Sequence, residues 1–297
     1  MRRLLIGIVM AAFAAAGCSS AGSAHDDGGV TVVATTDVWG SVAESVAGEH
    51  ATVKSIASGA SADPHSFEAS PADVAAISDA SLLVYNGGGY DHWVDDVLAE
   101  HPDIDAVDAY SLHGTDQKAN EHVFYDVTVA KAVAEEIAKR LAALDSAHAD
   151  EYHANATDFG KQADEIAASQ RAIGEAHPGG AVVATEPVAY YLLRNAGLTD
   201  RTPPGFASAV EEGDDPAPAD VAAMLDLIDN HQVSVLLFNS QTETAVTDQI
   251  REAAQRASLP VVTVTETLPQ GVDYLTWQRN TTDELAAQFD KAPQSNR

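Results

Sequence analysis

The chain has one cysteine, few basic residues and no apolar run long enough to span a bilayer comfortably. With Cys18 alone among 297 residues, no internal disulfide can form, so the fold must rest on its core. Lys and Arg number 16 against 45 Asp and Glu, a net charge of -29. That balance argues against nucleic acid, whose phosphates need a basic face. An acidic surface can favour cations diffusely, although a solvated coat explains the charge equally well. Neither HExxH nor G-x-S-x-G occurs, and no other nucleophile motif stands out. A binding role rather than an enzyme is therefore expected.

The first 18 residues, MRRLLIGIVMAAFAAAGC, have the parts of a secretory signal. Arg2 and Arg3 form a positive start, Leu4 to Ala16 an apolar stretch, and small residues lead to Cys18. The apolar stretch is shorter than the about 20 residues a membrane span needs. The ending AAGC looks like a bacterial lipobox, with Ala15 where that motif prefers Leu. Residues 1–18 are thus expected to be a lipoprotein signal peptide, with Cys18 the lipidated residue. The chain would then sit outside the cytoplasm, anchored to the outer face of the cell membrane. A plain secreted protein with a buried thiol is the other reading. Residues 19–29, small and polar, read as a flexible tether.

From Val30 onward, roughly 265 residues remain, enough for two domains of ordinary size. VTVVAT, ATVKSIA and SLLVYNGGG read as strands, each followed by a helical stretch. Such alternation implies a parallel α/β sheet, whose ligands gather beyond the carboxyl ends of the strands. Val127 to Leu144 reads as a helix, and a long second one is expected from about Ser146 to Glu175, with Gly160 its one interruption up to Ile173. A second α/β series follows, with strands at 181–185, 233–239 and 259–266. The expected division is an N-terminal lobe (30–145), a connecting helix (146–177) and a C-terminal lobe (178–297).

Of 11 histidines, His25, His50, His101, His113, His148, His153, His177 and His231 mostly fall on polar loops or helix faces and read as solvated. HADEYH, at 148–153, lacks the spacing that puts two imidazoles on one helical face. Four residues are better placed. His65 follows Pro64, which stiffens its approach. His122 lies just ahead of the helix that begins near Val127. Glu186 follows the strand AVVAT, and Glu266 closes PVVTVTE. A carboxylate at the end of an apolar strand is costly unless it is solvated, paired or bound to a cation.

These segments resemble the zinc- and manganese-binding solute receptors of bacterial ABC importers along nearly the whole chain after the tether. DPHSFEASPADV is similar to that family's first ligand segment, and NEHVFYDVTVA to its second, an Asn-x-His pattern. TEPVAYYLLRNAGL resembles the third, where an aromatic, here Tyr191, follows the ligand. TVTETLP falls where manganese-type members place an acidic fourth ligand, here Glu266 rather than the more usual Asp. Two departures stand out: HGTDQKAN is short where zinc-type members often carry a long His/Asp-rich loop, and the disulfide of some members cannot form.

The resemblance implies two lobes on one rigid long helix, with a metal in the cleft between them. His65 and His122 would come from the first lobe, Glu186 and Glu266 from the second. Two imidazoles would supply affinity for a transition metal, and two carboxylates would offset its charge. Asp63 and Asp126 lie close in sequence to the histidines, but nothing assigns them to the second ring nitrogens. The implied cargo is one Zn²⁺ or Mn²⁺, with Fe²⁺ also suited to the oxygen-rich set, and ligand type does not choose among them. The implied partners are a membrane permease and, through the lipid anchor, the membrane. The receptor is expected to act as a monomer. An adhesion or structural lipoprotein with a structural metal, and a metal-dependent hydrolase, are the competing readings. Four protein ligands would leave a hydrolase little room for its catalytic water.

Overall fold

β-Branched runs recur in both halves of the chain, and in each half they become the central strands of a parallel sheet. The computed structural model describes residues 29–59, 67–114 and 120–292. The first sheet holds β1 (Val30–Thr36), β2 (Ala51–Ala57), β3 (Leu82–Tyr85) and β4 (Ala106–Asp108), in the order β2-β1-β3-β4. The second holds β5 (Ala181–Ala184), β6 (Thr199–Asp200), β7 (Val235–Asn239) and β8 (Val261–Val264), in the order β6-β5-β7-β8. Every pairing is parallel, and the two sheets repeat one topology. In such sheets the crevice lies where the strand order reverses, at the carboxyl ends of the central strands.

The helices of the first half are α1 (Asp37–Ala47), α2 (Pro71–Ser78), α3 (Trp93–Glu100) and α4 (Val127–Leu144). Local chemistry sets their starts. Ser70 and Asp73 form a capping box on α2, with Pro71 in its first turn. Asp126 caps α4 by accepting from Thr128 N. A 3₁₀ turn over Ser146–His148 then leads into α5 (Ala149–Ala176). With 28 residues at about 1.5 Å each, α5 runs for about 42 Å. The second half adds α6 (Tyr190–Ala196), α7 (Pro204–Glu211), α8 (Pro218–Asp229), α9 (Ala245–Arg256) and α10 (Tyr274–Lys291). Among the described residues no helix is long and apolar enough to cross a membrane.

Side-chain alternation along the strands sorts the cores. Val32 and Leu82 face a large cluster that runs through α4 and α5 to Val182 and Val235 of the second sheet. Val33 and Leu83 turn the other way, under α2 and α3. Val183 and Leu236 do the same in the second half, against Met224 and Ile250. The long helix is therefore part of the core that joins the sheets. Its close approach to α6 requires a glycine: a Cβ on Gly174 would stand 1.9 Å from Ala196 O.

The last helix crosses back onto the first half. Tyr274 N donates to Ser41 Oγ at 2.9 Å, and its hydroxyl donates to Phe124 O at 2.8 Å. Trp277 packs on Tyr125 with ring centres 4.9 Å apart. The sequence pattern does not show this crossing, nor the short strands β4 and β6. Two or three residues are too few to display a period of two.

Candidate metal centre

Three adjacent parallel strands of the second sheet, β5, β7 and β8, end at the same edge. That edge brings Glu186 (just past β5), Asn239 (the last residue of β7) and Glu266 (just past β8) into one row, all buried. Asn239 lies on the middle strand. Its Nδ2 donates to Glu186 Oε2 and, at 2.9 Å, to Glu266 Oε1. Asn239 is itself held by Thr185 Oγ1, which accepts from its backbone N at 2.9 Å. Burial pushes the Glu186 carboxyl above its ordinary range, and the Asn239 hydrogen bond works in the other direction. The charge of Glu266 adds to the upward push, and His122 opposes it. Two carboxyl groups under one amide are costly to keep buried as anions without a cation.

The opposite wall comes from the first half. His122 is buried ahead of a 3₁₀ turn, Val123–Tyr125. Asn120 Oδ1 accepts from the His122 backbone N at 2.8 Å and lies 2.9 Å from its ring Nδ1. An atom that accepts from a backbone N–H is the amide oxygen, so Nδ1 must be the protonated ring nitrogen. In the neutral imidazole the lone pair then lies on Nε2, which faces Glu266 Oε2 across 3.5 Å. The Asn-x-His spacing thus selects the tautomer that a metal ligand needs.

The loop carrying His122 is tied on several sides. Asn86 Nδ2 donates to Glu121 O at 2.9 Å. Asn120 Nδ2 donates to Pro187 O at 3.2 Å, and the Tyr191 hydroxyl to Asn120 O at 2.7 Å. Tyr90 reaches across from the first half and donates to Glu266 Oε2 at 3.2 Å. Burial drives the Tyr90 phenol well above its ordinary range, which keeps it a donor at neutral pH. Asp91 anchors the turn behind it, accepting from Thr35 Oγ1 at 2.7 Å, Asn86 N at 2.7 Å and Gly87 N at 2.8 Å.

The structure brings His122, Glu186 and Glu266 together. His65, with Asp63 and Pro64, lies outside the described residues, as does Cys18. Asp126 does not serve the imidazole: it caps α4 and pairs with Arg194 Nη2 at 3.1 Å. Among the described residues, Glu121, His122 and Glu211 have ligand-type atoms that all lie within 4.8 Å of one another. There Glu211 Oε1 lies 3.9 Å from His122 Nδ1. Since Nδ1 is committed to Asn120, the Nε2 side facing Glu266 is the better seat for a cation. Sequence reasoning passed over Asn239, Tyr90 and the role of Asn120. Asn239 could have been found, because it ends an apolar strand as Glu186 and Glu266 do.

Two matching parallel α/β lobes around one long helix, with an imidazole and two carboxylates meeting between them, define a two-lobed solute-binding fold. The chain belongs to the family described as zinc-uptake complex component A, periplasmic (ZnuA), which it matches over residues 32–288. It is 30% identical over 167 residues to the manganese-binding lipoprotein MntA of Halalkalibacterium halodurans, covering 54% of this chain and 55% of that protein. MntA of Bacillus subtilis is 27% identical over 167 residues, 52% of this chain and 54% of its own length. The chain spans about half the length of the curated relatives it matches. Among solved structures, the laminin-binding protein Lmb of Streptococcus agalactiae is similar, with a TM-score of 0.76 and 26% identity over 88% of this chain and 99% of that one. Lmb is described as a bifunctional protein with adhesin and metal-transporting activity. The periplasmic zinc-binding protein TroA of Treponema pallidum shares the fold, with a TM-score of 0.74 and 18% identity over 88% of this chain and 99% of TroA.

Proposed function

We propose that the chain is an extracytoplasmic receptor that captures one divalent transition metal, Zn²⁺ or Mn²⁺, between its lobes and delivers it to the membrane permease of an ABC importer. In this reading His65, His122, Glu186 and Glu266 are the ligands, and a lipid on Cys18 keeps the receptor at the membrane. The convergence of Glu186, Glu266 and His122 Nε2 from two lobes carries the proposal. The family's description and the manganese-binding lipoproteins among its relatives support it.

The chemistry follows from the donor set. A neutral imidazole gives affinity for a transition metal, and the carboxylates offset the charge of a dication. Asn120 keeps the His122 lone pair on Nε2, and Asn239 and Tyr90 hold both oxygens of Glu266 in place. Such outer partners decide how well ligands are aimed before the metal arrives.

Calorimetry with Zn²⁺ and with Mn²⁺ tests the reading. One ion per chain is expected, with binding abolished in the His65→Ala, Glu186→Ala double variant. Unchanged stoichiometry and affinity in that variant would sink the site. A chelator should strip the metal while the protein stays folded and able to rebind. Unfolding on stripping would instead identify a structural metal.

A further inference from the structure

Asp37 opens α1, where a carboxylate suits the positive end of the helix. Its two oxygens, however, serve different parts of the molecule. Oδ2 accepts from Gly59 N at 2.9 Å, in the stretch that follows β2 and runs toward His65. Oδ1 accepts from Leu268 N at 3.1 Å, just past Glu266 in the other lobe. Thr267 Oγ1 completes a ring by donating to Gly59 O at 3.1 Å. Gly59 has φ +90°, a backbone state that favours glycine, although a Cβ there would meet nothing within 4 Å.

Other bonds also cross between the lobes, such as the Tyr125 hydroxyl to Thr265 O at 2.8 Å. Charged groups cross as well, in the Asp126–Arg194 pair and the Tyr90–Glu266 bond. Asp37, however, gives one oxygen to a backbone N–H of each lobe, and a charged acceptor makes such bonds stronger than a neutral one. Burial holds its carboxyl above the ordinary range while the Gly59 and Leu268 N–H groups pull it down. The seam beside it is a groove of about 640 Å³ lined by Asp37, Gly59, Leu268 and Pro269 among others.

We infer that Asp37 is an interlobe latch, a positioning residue that ties the segment leading to His65 to the segment leaving Glu266 and so slows metal release. This rests on the receptor reading above. Both Asp37 oxygens are committed to backbone N–H groups, so its role is to hold the closed arrangement rather than to bind the ion. An Asn at this position keeps one acceptor and turns a donor toward the other N–H.

The test combines release kinetics with lobe spacing in the full chain. Mn²⁺-loaded wild type, Asp37→Asn and Thr267→Val are chased with excess EDTA in a stopped-flow instrument. Asp37→Asn is expected to release Mn²⁺ about tenfold faster, the loss of about one charged hydrogen bond, with one ion per chain retained and the association rate little changed. Thr267→Val should speed release by a smaller factor, and it keeps the test open if Asp37→Asn does not fold. Spin labels at Asp103→Cys and Gln255→Cys, in a Cys18→Ser background, report the lobe distance without metal. A broader distribution in Asp37→Asn supports the latch. Release rates equal to wild type in both variants overturn it. If wild type binds no Mn²⁺, the receptor reading fails for that ion, and the latch is then judged on the distance distributions, with superimposable ones overturning it.

Discussion

Asn120 Oδ1 lies 2.9 Å from His122 Nδ1 while accepting the His122 backbone N–H at 2.8 Å. One side chain thereby sets the position of the loop, the orientation of the ring and the tautomer together. Its own amide nitrogen reaches Pro187 O, beside Glu186 in the other lobe.

Asn120→Ala should therefore weaken metal binding without removing a ligand, by about 10- to 100-fold. Asn120→Asp keeps an acceptor for both N–H groups and is expected to retain affinity within a few-fold of wild type. Competitive titration against a calibrated chelator distinguishes the two variants. Equal losses in both would mean that the loop, rather than the tautomer, is what Asn120 supplies.

Asp91 makes the stability of the metal-free protein depend on pH. Burial is the largest influence on its carboxyl and raises its pKa above the ordinary value, against the bonds from Thr35, Asn86 and Gly87. A raised folded-state pKa favours the protonated form in the fold. Its contribution is then greatest at low pH and declines as pH rises from the unfolded value, about 3.9, through the folded one. Asp91→Asn does not titrate, so the stability difference, wild type minus variant, should shrink over that window and then level off. Urea midpoints between about pH 4 and 8 with chelator present would show it. A difference that grows with pH would mean that the hydrogen bonds outweigh burial.

Two glycines of α5 should respond oppositely to alanine. At Gly160 a Cβ meets only the Lys131 side chain, at 3.2 to 3.4 Å, and that flexible chain can move aside. Gly160→Ala is expected to stabilise by up to about 1 kcal/mol through helix propensity. Gly174→Ala drives a methyl group into Ala196 O and should cost about 2 kcal/mol or more. Thermal unfolding of both variants gives the comparison. Similar effects would show that α5 and α6 can slide apart.

What could be read in advance follows from local chemistry. β-Branched runs such as VTVVAT and VSVLLFN, and the Ser70–Asp73 cap, act within a few residues, so they mark elements wherever those elements end up packing. Where the elements packed was less legible. The long helix begins at Ala149 after a 3₁₀ turn, a little later than the sequence pattern suggests. A carboxylate closing an apolar strand marked Glu186 and Glu266 as candidates, and only the resemblance to metal receptors joined them with the histidines into one set.

Sequence alone determined the alternation of strands and helices and the placing of the carboxylates at strand ends, because propensity and period are properties of neighbouring residues. Tertiary structure decided which strand ends stand side by side. The order β5-β7-β8 puts Asn239 between Glu186 and Glu266, Tyr90 reaches Glu266 from the other half, and α10 returns to Phe124. Those partners are far apart along the chain, and only packing of the two sheets against a shared core brings them within hydrogen-bond distance.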